Sequence, residues 1–289
     1  MKHRGVSLVI GADGCIGKAL ADHLVCAGEM VLQTTRRGNT LSEKRVFLDL
    51  GQDISDWSPP CSVSVAYLCA GVSSLDVCRK APEQSAIVNV HNTLTLARTL
   101  VARGIFVIFP STDLVFNGSG PFREADDPVY PLTEYGRQKA EAERQLLALG
   151  HLISVVRFTK VLGPNMPLFK QWMQALRNHE VIHPFSDLIL APIPLSFAIQ
   201  VLYRIGEKRL PGICQVSGEQ DITYEQAARY IAQRLGVSLD LVQPVKSEEM
   251  GLQLEAIRSY SALDMARLRA EFEMQPPNVW LTIDATLGL

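Results

Sequence analysis

Gly11-Ala12-Asp13-Gly14-Cys15-Ile16-Gly17 lies between two segments of different pattern, and together they indicate the fold class. The apolar run Val6–Ile10 before it is typical of a buried strand, and apolar residues recur at helical spacing over 15–27 after it. Three glycines between a strand and a helix make a phosphate-binding turn. The first permits the tight turn, the second lets backbone approach a pyrophosphate, and the third lets helix and strand pack closely. We therefore expect a bound dinucleotide at Gly11, Gly14, Cys15, Ile16 and Gly17.

Short apolar runs alternate with helical segments through the first half of the chain. Strands are expected at 6–10, 30–34, 46–50, 63–69, 105–109 and 152–158. Helices are expected at 15–27, 82–102 and 134–149. This order predicts an α/β protein in which βαβ units form a doubly wound parallel sheet of the Rossmann type, with helices on both faces.

The second half of the chain loses this alternation. Five prolines crowd the region 164–194, and helical patterns return only over 197–206, 224–236 and 263–272. We expect a smaller C-terminal substrate-binding cap from about 163–185 plus 216–289. Residues 1–162 plus about 186–215 would then form the nucleotide-binding domain.

Composition excludes several classes of protein. The chain has 289 residues, with 28 Lys plus Arg and 30 Asp plus Glu, and its net charge of -2 gives no broad basic field for nucleic acid. Hydrophobic residues make up 47% and charged residues 20%, which fits a globular core. No run approaches the roughly 18 apolar residues of a membrane span. The six cysteines form no CxxC pair, which indicates reduced thiols in a cytoplasmic protein.

His179-Glu180-Val181-Ile182-His183 matches the HExxH pattern of zinc sites, in which both imidazoles share one helical face. Two features oppose a helix here. Pro184 disfavours helical geometry at His183, and the β-branched pair Val181 and Ile182 favours a strand. We therefore expect no metal site.

The residues that follow the predicted strands indicate which dinucleotide binds. Enzymes that use NAD usually place a carboxylate after the second strand, where it accepts from the ribose 2′-hydroxyl. Here the strand ends in Thr34-Thr35-Arg36-Arg37, and the guanidinium groups of Arg36 and Arg37 suit the 2′-phosphate of NADP (NADPH). The alternative is a solvated basic loop. Further cofactor contacts are expected after the third and fourth strands, at Asp49, Leu50, Cys69, Ala70 and Gly71.

Tyr135 and Lys139 form a YxxxK pair, whose spacing of four places both side chains on one face of the predicted helix. A free phenol titrates near pH ~10 and exchanges protons poorly at neutrality. We expect the Lys139 ammonium, with an oxidised nicotinamide, to lower the pKa of the Tyr135 phenol. Both residues are expected to contact the cofactor, with Lys139 holding the nicotinamide ribose. Thr112 follows the fifth strand at the carboxyl end of the sheet, where its hydroxyl can donate to the substrate carbonyl. Asn89 is expected to brace backbone near the fourth strand, with a proton relay as the alternative.

Six motifs carry a family resemblance: GADGCIG at 11–17, CAG at 69–71, VNVHNT at 88–93, STDLVFNG at 111–118, YGRQK at 135–139 and VRFTKVLGPN at 156–165. With them the chain resembles extended short-chain dehydrogenase/reductases, and within these the dTDP-4-dehydrorhamnose reductase branch. The resemblance implies NADPH-dependent reduction of a nucleotide-linked 4-keto sugar, and a homodimer is a candidate assembly. It implies a structural or phosphate-facing Arg157. The implied catalytic residues are Thr112, Tyr135 and Lys139, and the implied substrate contacts are Ser73, Thr112, Asp113, Tyr135 and Thr159.

Departures from the branch lie on the substrate side. Leu114 stands where the branch has an aromatic residue, Lys160 where it has a Trp near the sugar, and Leu162 where it has a Tyr. Related dehydratases carry a Glu directly after Thr-Asp, and Leu114 disfavours dehydration because it cannot move a proton. Two alternatives stay open: an NAD(P)-dependent nucleotide-sugar epimerase, and a non-catalytic NADP-binding regulatory subunit of the same fold.

Overall fold

A computed structural model describes residues 5–164, 166–251 and 257–289. Residues 1–4 of the expected nucleotide-binding domain, Asn165 at the end of the 156–165 motif and residues 252–256 of the expected cap lie outside the described residues. The strands, in chain order, are β1 (Val6–Ile10), β2 (Val31–Thr35), β3 (Arg45–Phe47), β4 (Val63–Leu68), β5 (Phe106–Thr112), β6 (Ile153–Phe158), β7 (Val161–Leu162), β8 (Ile189–Leu190), β9 (Ile193–Pro194), β10 (Gly212–Val216) and β11 (Ile222–Thr223). The α-helices are α1 (Cys15–Cys26), α2 (Leu75–Lys80), α3 (Pro82–Ala86), α4 (Thr93–Ala102), α5 (Glu134–Leu147), α6 (Pro167–Arg177), α7 (Leu195–Lys208), α8 (Tyr224–Leu235), α9 (Ala266–Phe272) and α10 (Val279–Leu287).

A seven-stranded sheet in the described part of the chain has the order β10-β6-β5-β4-β1-β2-β3. The pairs β1 with β2, β1 with β4, β2 with β3 and β4 with β5 are parallel, and Leu8 of β1 is in register with both Leu32 and Ala66. The strand order reverses between β1 and β4. In an open parallel sheet, ligands bind outside the carboxyl ends of the strands at such a reversal. The prediction of a doubly wound parallel sheet is confirmed.

The long helix expected over 82–102 is interrupted. Its middle, Ile87–Asn92, is a π-helical segment between α3 and α4. Within it the Asn89 side chain hydrogen-bonds to the backbone of Val72, and the hydroxyl of Thr93, the first residue of α4, donates to the carbonyl of Val88 at 2.8 Å. Such π-helical segments often lie at functional sites, and this one contains Asn89.

Two strand ends differ from the expectation. The third strand ends at Phe47, so Asp49 and Leu50 lie in the turn beyond it, where the backbone amide of Gly51 donates to the Asp49 carboxylate at 2.9 Å. The fifth strand continues to Thr112, which is its last residue instead of a loop residue beyond it. Apolar pattern alone missed this extension because the strand ends in Ser111 and Thr112, both of which are buried.

The chain divides into two compact units. The first comprises Met1–Val115, Thr133–Arg157 and Ile199–Cys214, and its core includes Leu8, Leu68, Phe109, Leu146 and Val155. The second comprises Phe116–Leu132, Phe158–Ala198 and Gln215–Leu289, and its core includes Phe169, Trp172, Ile231, Val279 and Ile283. Each unit therefore has a hydrophobic core of its own.

The boundaries differ from those expected, because residues 116–132, 158–162 and 186–198 belong to the second unit. The backbone amide of Phe122 donates to the carbonyl of Ala262 at 3.0 Å, which ties 116–132 to the C-terminal part of the chain. In the same way β7 pairs with β9, and the amide of Ile193 donates to the carbonyl of Lys160 at 2.9 Å. These boundaries depend on hydrogen bonds between segments that are far apart in the sequence. Local sequence patterns do not predict such pairing.

The HExxH stretch does not form a helical face. α6 ends at Arg177, His179 has a left-handed backbone with φ of 59°, and Ile182 bridges Val242. Among the described residues, no group of three or more His, Cys, Asp or Glu side chains is arranged to hold a metal ion. In the same parts of the chain no helix has both the length and the apolar character to cross a bilayer.

Candidate active site

The glycine turn joins β1 to α1 as expected. Gly11 has φ of +84°, and a Cβ there would lie 2.6 Å from the backbone nitrogen of Ala70, so this position needs glycine for both conformation and space. A Cβ on Gly17 would lie 2.3 Å from the carbonyl oxygen of Gly11, which explains the close packing of helix on turn. Gly14 is the N-cap of α1, and no side chain caps this helix end. The first-turn N–H groups are thus available to a phosphate.

An open cleft lies at the carboxyl ends of β1, β2 and β4. It holds about 700 Å³ of space when its solvent side is counted. Eight of the residues expected to contact a dinucleotide line it: Gly11, Gly14, Arg36, Asp49, Leu50, Cys69, Ala70 and Gly71. Six others do not, namely Cys15, Ile16, Gly17, Arg37, Tyr135 and Lys139. An open helix N-terminus, a glycine cradle and an arginine in one cleft fit a dinucleotide.

A carboxylate reaches the end of β2, contrary to the expectation that none stands there. Asp13, from the glycine turn, lines the cleft, accepts from the Thr35 hydroxyl at 2.7 Å and pairs with Arg45 of β3. Partial burial opposes ionisation of Asp13, but the Thr35 hydrogen bond and the charges of Arg45 and Arg37 together lower its pKa. The residues that follow β2 contain no carboxylate. Asp13 comes from the glycine turn after β1, so its position at the end of β2 could not be predicted from the residues after β2 alone.

Asn89 fixes the segment that follows β4. Its side-chain oxygen accepts from the backbone amide of Val72 at 2.8 Å, and its nitrogen donates to the carbonyl of Val72 at 3.0 Å and to Gln138 at 2.8 Å. Gln138, on α5, also donates to the Ser85 hydroxyl at 2.8 Å. Asn89 therefore braces backbone, as expected, and Gln138 is a positioning residue that the sequence analysis did not identify.

Lys139 is buried on α5 and engaged with β5. Its Nζ donates to the carbonyl of Pro110 at 2.6 Å and lies 3.7 Å from the centroid of the Phe109 ring. Burial lowers the pKa of Lys139 from near 10.5 to about 7, although the Glu143 carboxylate opposes this shift. Burial likewise raises the pKa of the Cys69 thiol to about 12, against the effect of Lys139, so Cys69 is not a thiolate nucleophile.

Tyr135 lies in the first turn of α5, a helix that begins after Thr133, whose hydroxyl accepts from the amide of Gly136. Burial raises the pKa of the Tyr135 phenol above its ordinary value, and the Cys78 and Asp113 side chains raise it further. Lys139 is not among the causes of this shift in the ligand-free protein, and the lowering expected from Lys139 together with an oxidised nicotinamide stays a prediction. The phenol is protonated at neutral pH.

Thr112, Asp113, Ser73 and Thr159 have different environments. The Thr112 hydroxyl donates to the Asp113 carboxylate at 3.1 Å and accepts from the amide of Leu114 at 3.2 Å. Ser73 is exposed in the segment between β4 and α2. Thr159, in the second unit, is 4% exposed and its hydroxyl donates to the carbonyl of Ala191. Its only hydroxyl hydrogen is thus engaged within the protein, and the expected contact of Thr159 with the substrate stays a prediction.

Arg157 is structural. Its guanidinium forms a buried ion pair with Glu143 of α5, at 2.8 Å and with both side chains less than 5% exposed. Replacing Glu143 with glutamine is expected to lower the free energy of unfolding by about 3 kcal/mol or more, because a buried guanidinium loses its counter-charge. Urea denaturation measures this. The control is Glu141→Gln on the same helix, whose exposed pair with Arg144 should contribute less than about 1 kcal/mol. Equal losses in the two variants would contradict the prediction.

The fold and this cleft define a Rossmann-type α/β protein of the extended short-chain dehydrogenase/reductase class. A profile described as the RmlD substrate binding domain matches residues 6–287, and the chain belongs to this family.

Two proteins and one crystal structure are similar to this chain over most of its length. It is 26% identical over 284 residues to dTDP-4-dehydrorhamnose reductase from Aggregatibacter actinomycetemcomitans, a match that covers 93% of this chain and 94% of that protein. It is 24% identical over 263 residues to methionine adenosyltransferase 2 subunit beta from Xenopus laevis, covering 85% and 76%. The crystal structure of dTDP-4-dehydrorhamnose reductase from Bacillus anthracis in complex with NADP has a TM-score of 0.81, with 20% identity and 98% of each chain covered.

Proposed function

We propose that the chain is an NADPH-dependent reductase of a nucleotide-linked 4-keto sugar, with Tyr135 as the proton donor. The observation that carries the proposal is that an open glycine-turn cleft and the side chains of Thr112, Tyr135 and Lys139 belong to one compact unit. The similarity to dTDP-4-dehydrorhamnose reductase over 93% of the chain supports the substrate class. The similar structure that contains NADP supports the cofactor.

The residues of the cleft fit the cofactor, and those of α5 fit the chemistry. The N–H groups after Gly14 would hold the pyrophosphate, Arg36 the 2′-phosphate and Lys139 the nicotinamide ribose. NADPH, when bound, supplies the hydride that reaches the carbonyl carbon. Tyr135 then gives its phenolic proton to the carbonyl oxygen. The Thr112 hydroxyl can donate a hydrogen bond to the same oxygen once it turns away from the Asp113 carboxylate, to which it donates in the ligand-free protein.

Protonation states in the ligand-free site suit Tyr135 as a proton donor. A proton donor must hold its proton at working pH, and the raised pKa of Tyr135 ensures this. The Tyr135 phenolate left after transfer lies one helical turn from Lys139, whose pKa of about 7 lets its amino group hold or release a proton at neutral pH. The departures at Leu114, Lys160 and Leu162 change side chains on the substrate side, so we propose a class of sugar and no particular one.

The test combines binding with turnover. NADPH is expected to raise the melting temperature of the purified protein by mass action, and thymidine or uridine diphosphate to raise it further. Nucleotide-linked 4-keto sugars are then added as a panel, and oxidation of NADPH is followed by its absorbance. We expect oxidation with at least one member of the panel.

Three results would contradict the proposal. Failure to bind NADPH would mean that NADPH is not the cofactor. Purification with stoichiometric bound NAD and sugar conversion without net NADPH oxidation would indicate an epimerase. Tight NADP binding without oxidation across the panel would indicate a non-catalytic subunit, which the similarity to methionine adenosyltransferase 2 subunit beta makes the second candidate.

A further inference from the structure

The end of β2 carries charges of both signs at the point where this fold receives the adenosine ribose of a dinucleotide. Arg36 lines the cleft there and is exposed, and Arg37 follows it. Asp13 lines the same cleft from the glycine turn, with its side chain 23% exposed. Guanidinium groups attract a 2′-phosphate, whereas a carboxylate accepts a hydrogen bond from a 2′-hydroxyl. The two residue types therefore favour different cofactors.

Asp13 is fixed in this position by a chain of contacts. Its carboxylate accepts from the Thr35 hydroxyl at 2.7 Å and pairs with the Arg45 guanidinium. Thr35 is itself held, because its hydroxyl accepts from the backbone amide of Arg37 at 3.0 Å and lies 3.3 Å from the Thr40 hydroxyl. The same contacts lower the pKa of Asp13, so it is ionised at neutral pH. A negative charge thus stays beside Arg36 and Arg37.

The opposing charges limit how strongly the cleft can prefer NADP over NAD. A 2′-phosphate placed near Arg36 and Arg37 gains from two positive charges, and it also meets the repulsion of Asp13, which is only partly neutralised by Arg45. A 2′-hydroxyl meets no such repulsion and gains an acceptor. Removal of the Asp13 charge should therefore strengthen NADP binding and weaken NAD binding at once.

We propose that Asp13 is a specificity-determining residue that reduces the preference of the cleft for NADP, so that the chain binds NAD as well. The inference rests on the proposed function, because it assumes that this cleft binds a nicotinamide dinucleotide. It concerns the adenosine end of the cofactor and not the reaction of Tyr135.

The test is the variant Asp13→Asn, which keeps the shape of the side chain and an acceptor for Thr35 but removes the charge. Calorimetric titration gives the dissociation constants of NADP⁺ and NAD⁺ for the wild type and the variant. We expect the ratio of the NAD⁺ constant to the NADP⁺ constant to rise about tenfold, the change that corresponds to about 1.4 kcal/mol. The measurement needs no turnover and no sugar.

The matched control is Asp49→Asn in the same cleft, a carboxylate that we expect to meet the adenine, which both cofactors share. It should change both dissociation constants by the same factor. A second variant, Asp13→Ser, removes the charge with a shorter side chain, and melting curves without cofactor check that each variant folds.

Each outcome decides the inference. A raised ratio in every Asp13 variant that folds, with an unchanged ratio in Asp49→Asn, supports it. An unchanged or lowered ratio in a folded Asp13 variant overturns it and leaves the proposed function intact, and failure of both variants to fold overturns it by making Asp13 purely structural. If the wild type binds neither dinucleotide, the proposed function fails and the inference fails with it.

Discussion

Replacement of Tyr135 with phenylalanine is expected to lower turnover by about 10²–10⁴-fold, the contribution usual for a positioned acid. The affinity for NADPH should change little, because the variant loses one hydroxyl and keeps the ring that packs at the start of α5. Thr112 and Lys139 remain in place, but the Thr112 hydroxyl already donates to Asp113 and Lys139 already donates to the carbonyl of Pro110. Neither is thus ready to replace the phenol as the proton donor. Single-turnover rates and a fluorescence titration of NADPH measure the two quantities separately.

The matched control is Tyr130→Phe, because Tyr130 is 61% exposed and lies outside the groups assigned to binding or catalysis. Its turnover should equal that of the wild type. Turnover within about tenfold of the wild type in Tyr135→Phe would remove Tyr135 as the acid, since a residual effect that small fits the loss of a single hydrogen bond. A parallel loss of NADPH affinity would instead assign Tyr135 to cofactor binding.

Local signals predicted the scaffold of the site well. The helix expected over 134–149 is observed at Glu134–Leu147, because Thr133 is a favourable N-cap and the pattern of apolar residues is helical. The glycine spacing predicted the turn after β1 because part of the requirement for glycine there comes from residues nearby in the sequence. Gly17, for example, has to pack against the carbonyl of Gly11, only six positions away.

Contacts between residues far apart in the sequence could not be predicted from local patterns. Asp13 meets Thr35 and Arg45, which are 22 and 32 positions away, so a search of the residues after β2 could not find it. Helical spacing shows that Lys139 shares a face with Tyr135, but it does not show that the Lys139 Nζ turns to the carbonyl of Pro110, nor that burial raises the pKa of Tyr135 in the ligand-free protein. Burial of both groups, which depends on the packing of α5 against β5, then determines their protonation.

Replacement of Lys139 with methionine is expected to abolish efficient turnover and yet to stabilise the protein without cofactor at neutral and acidic pH. The side chain is 7% exposed, and burial lowers its pKa from near 10.5 to about 7. Between these two values the unfolded chain binds a proton that the folded chain does not, so stability of the wild type rises with pH over this interval. Below about pH 7 the folded protein must bury the charged ammonium, and methionine removes that penalty while keeping the apolar contact with Phe109.

The difference in unfolding free energy between Lys139→Met and the wild type is therefore expected to be largest near pH 6 and to shrink by on the order of 3 kcal/mol as the pH approaches 10. Loss of the hydrogen bond to Pro110 offsets part of the gain at every pH but does not depend on pH in this range. Urea denaturation at a series of pH values measures the difference. The control is Lys80→Met, since Lys80 is 67% exposed and should show no such trend. A difference that stays constant with pH would mean that Lys139 keeps an ordinary pKa in the fold, and the proposed exchange of protons between Lys139 and Tyr135 at neutral pH would lose its basis.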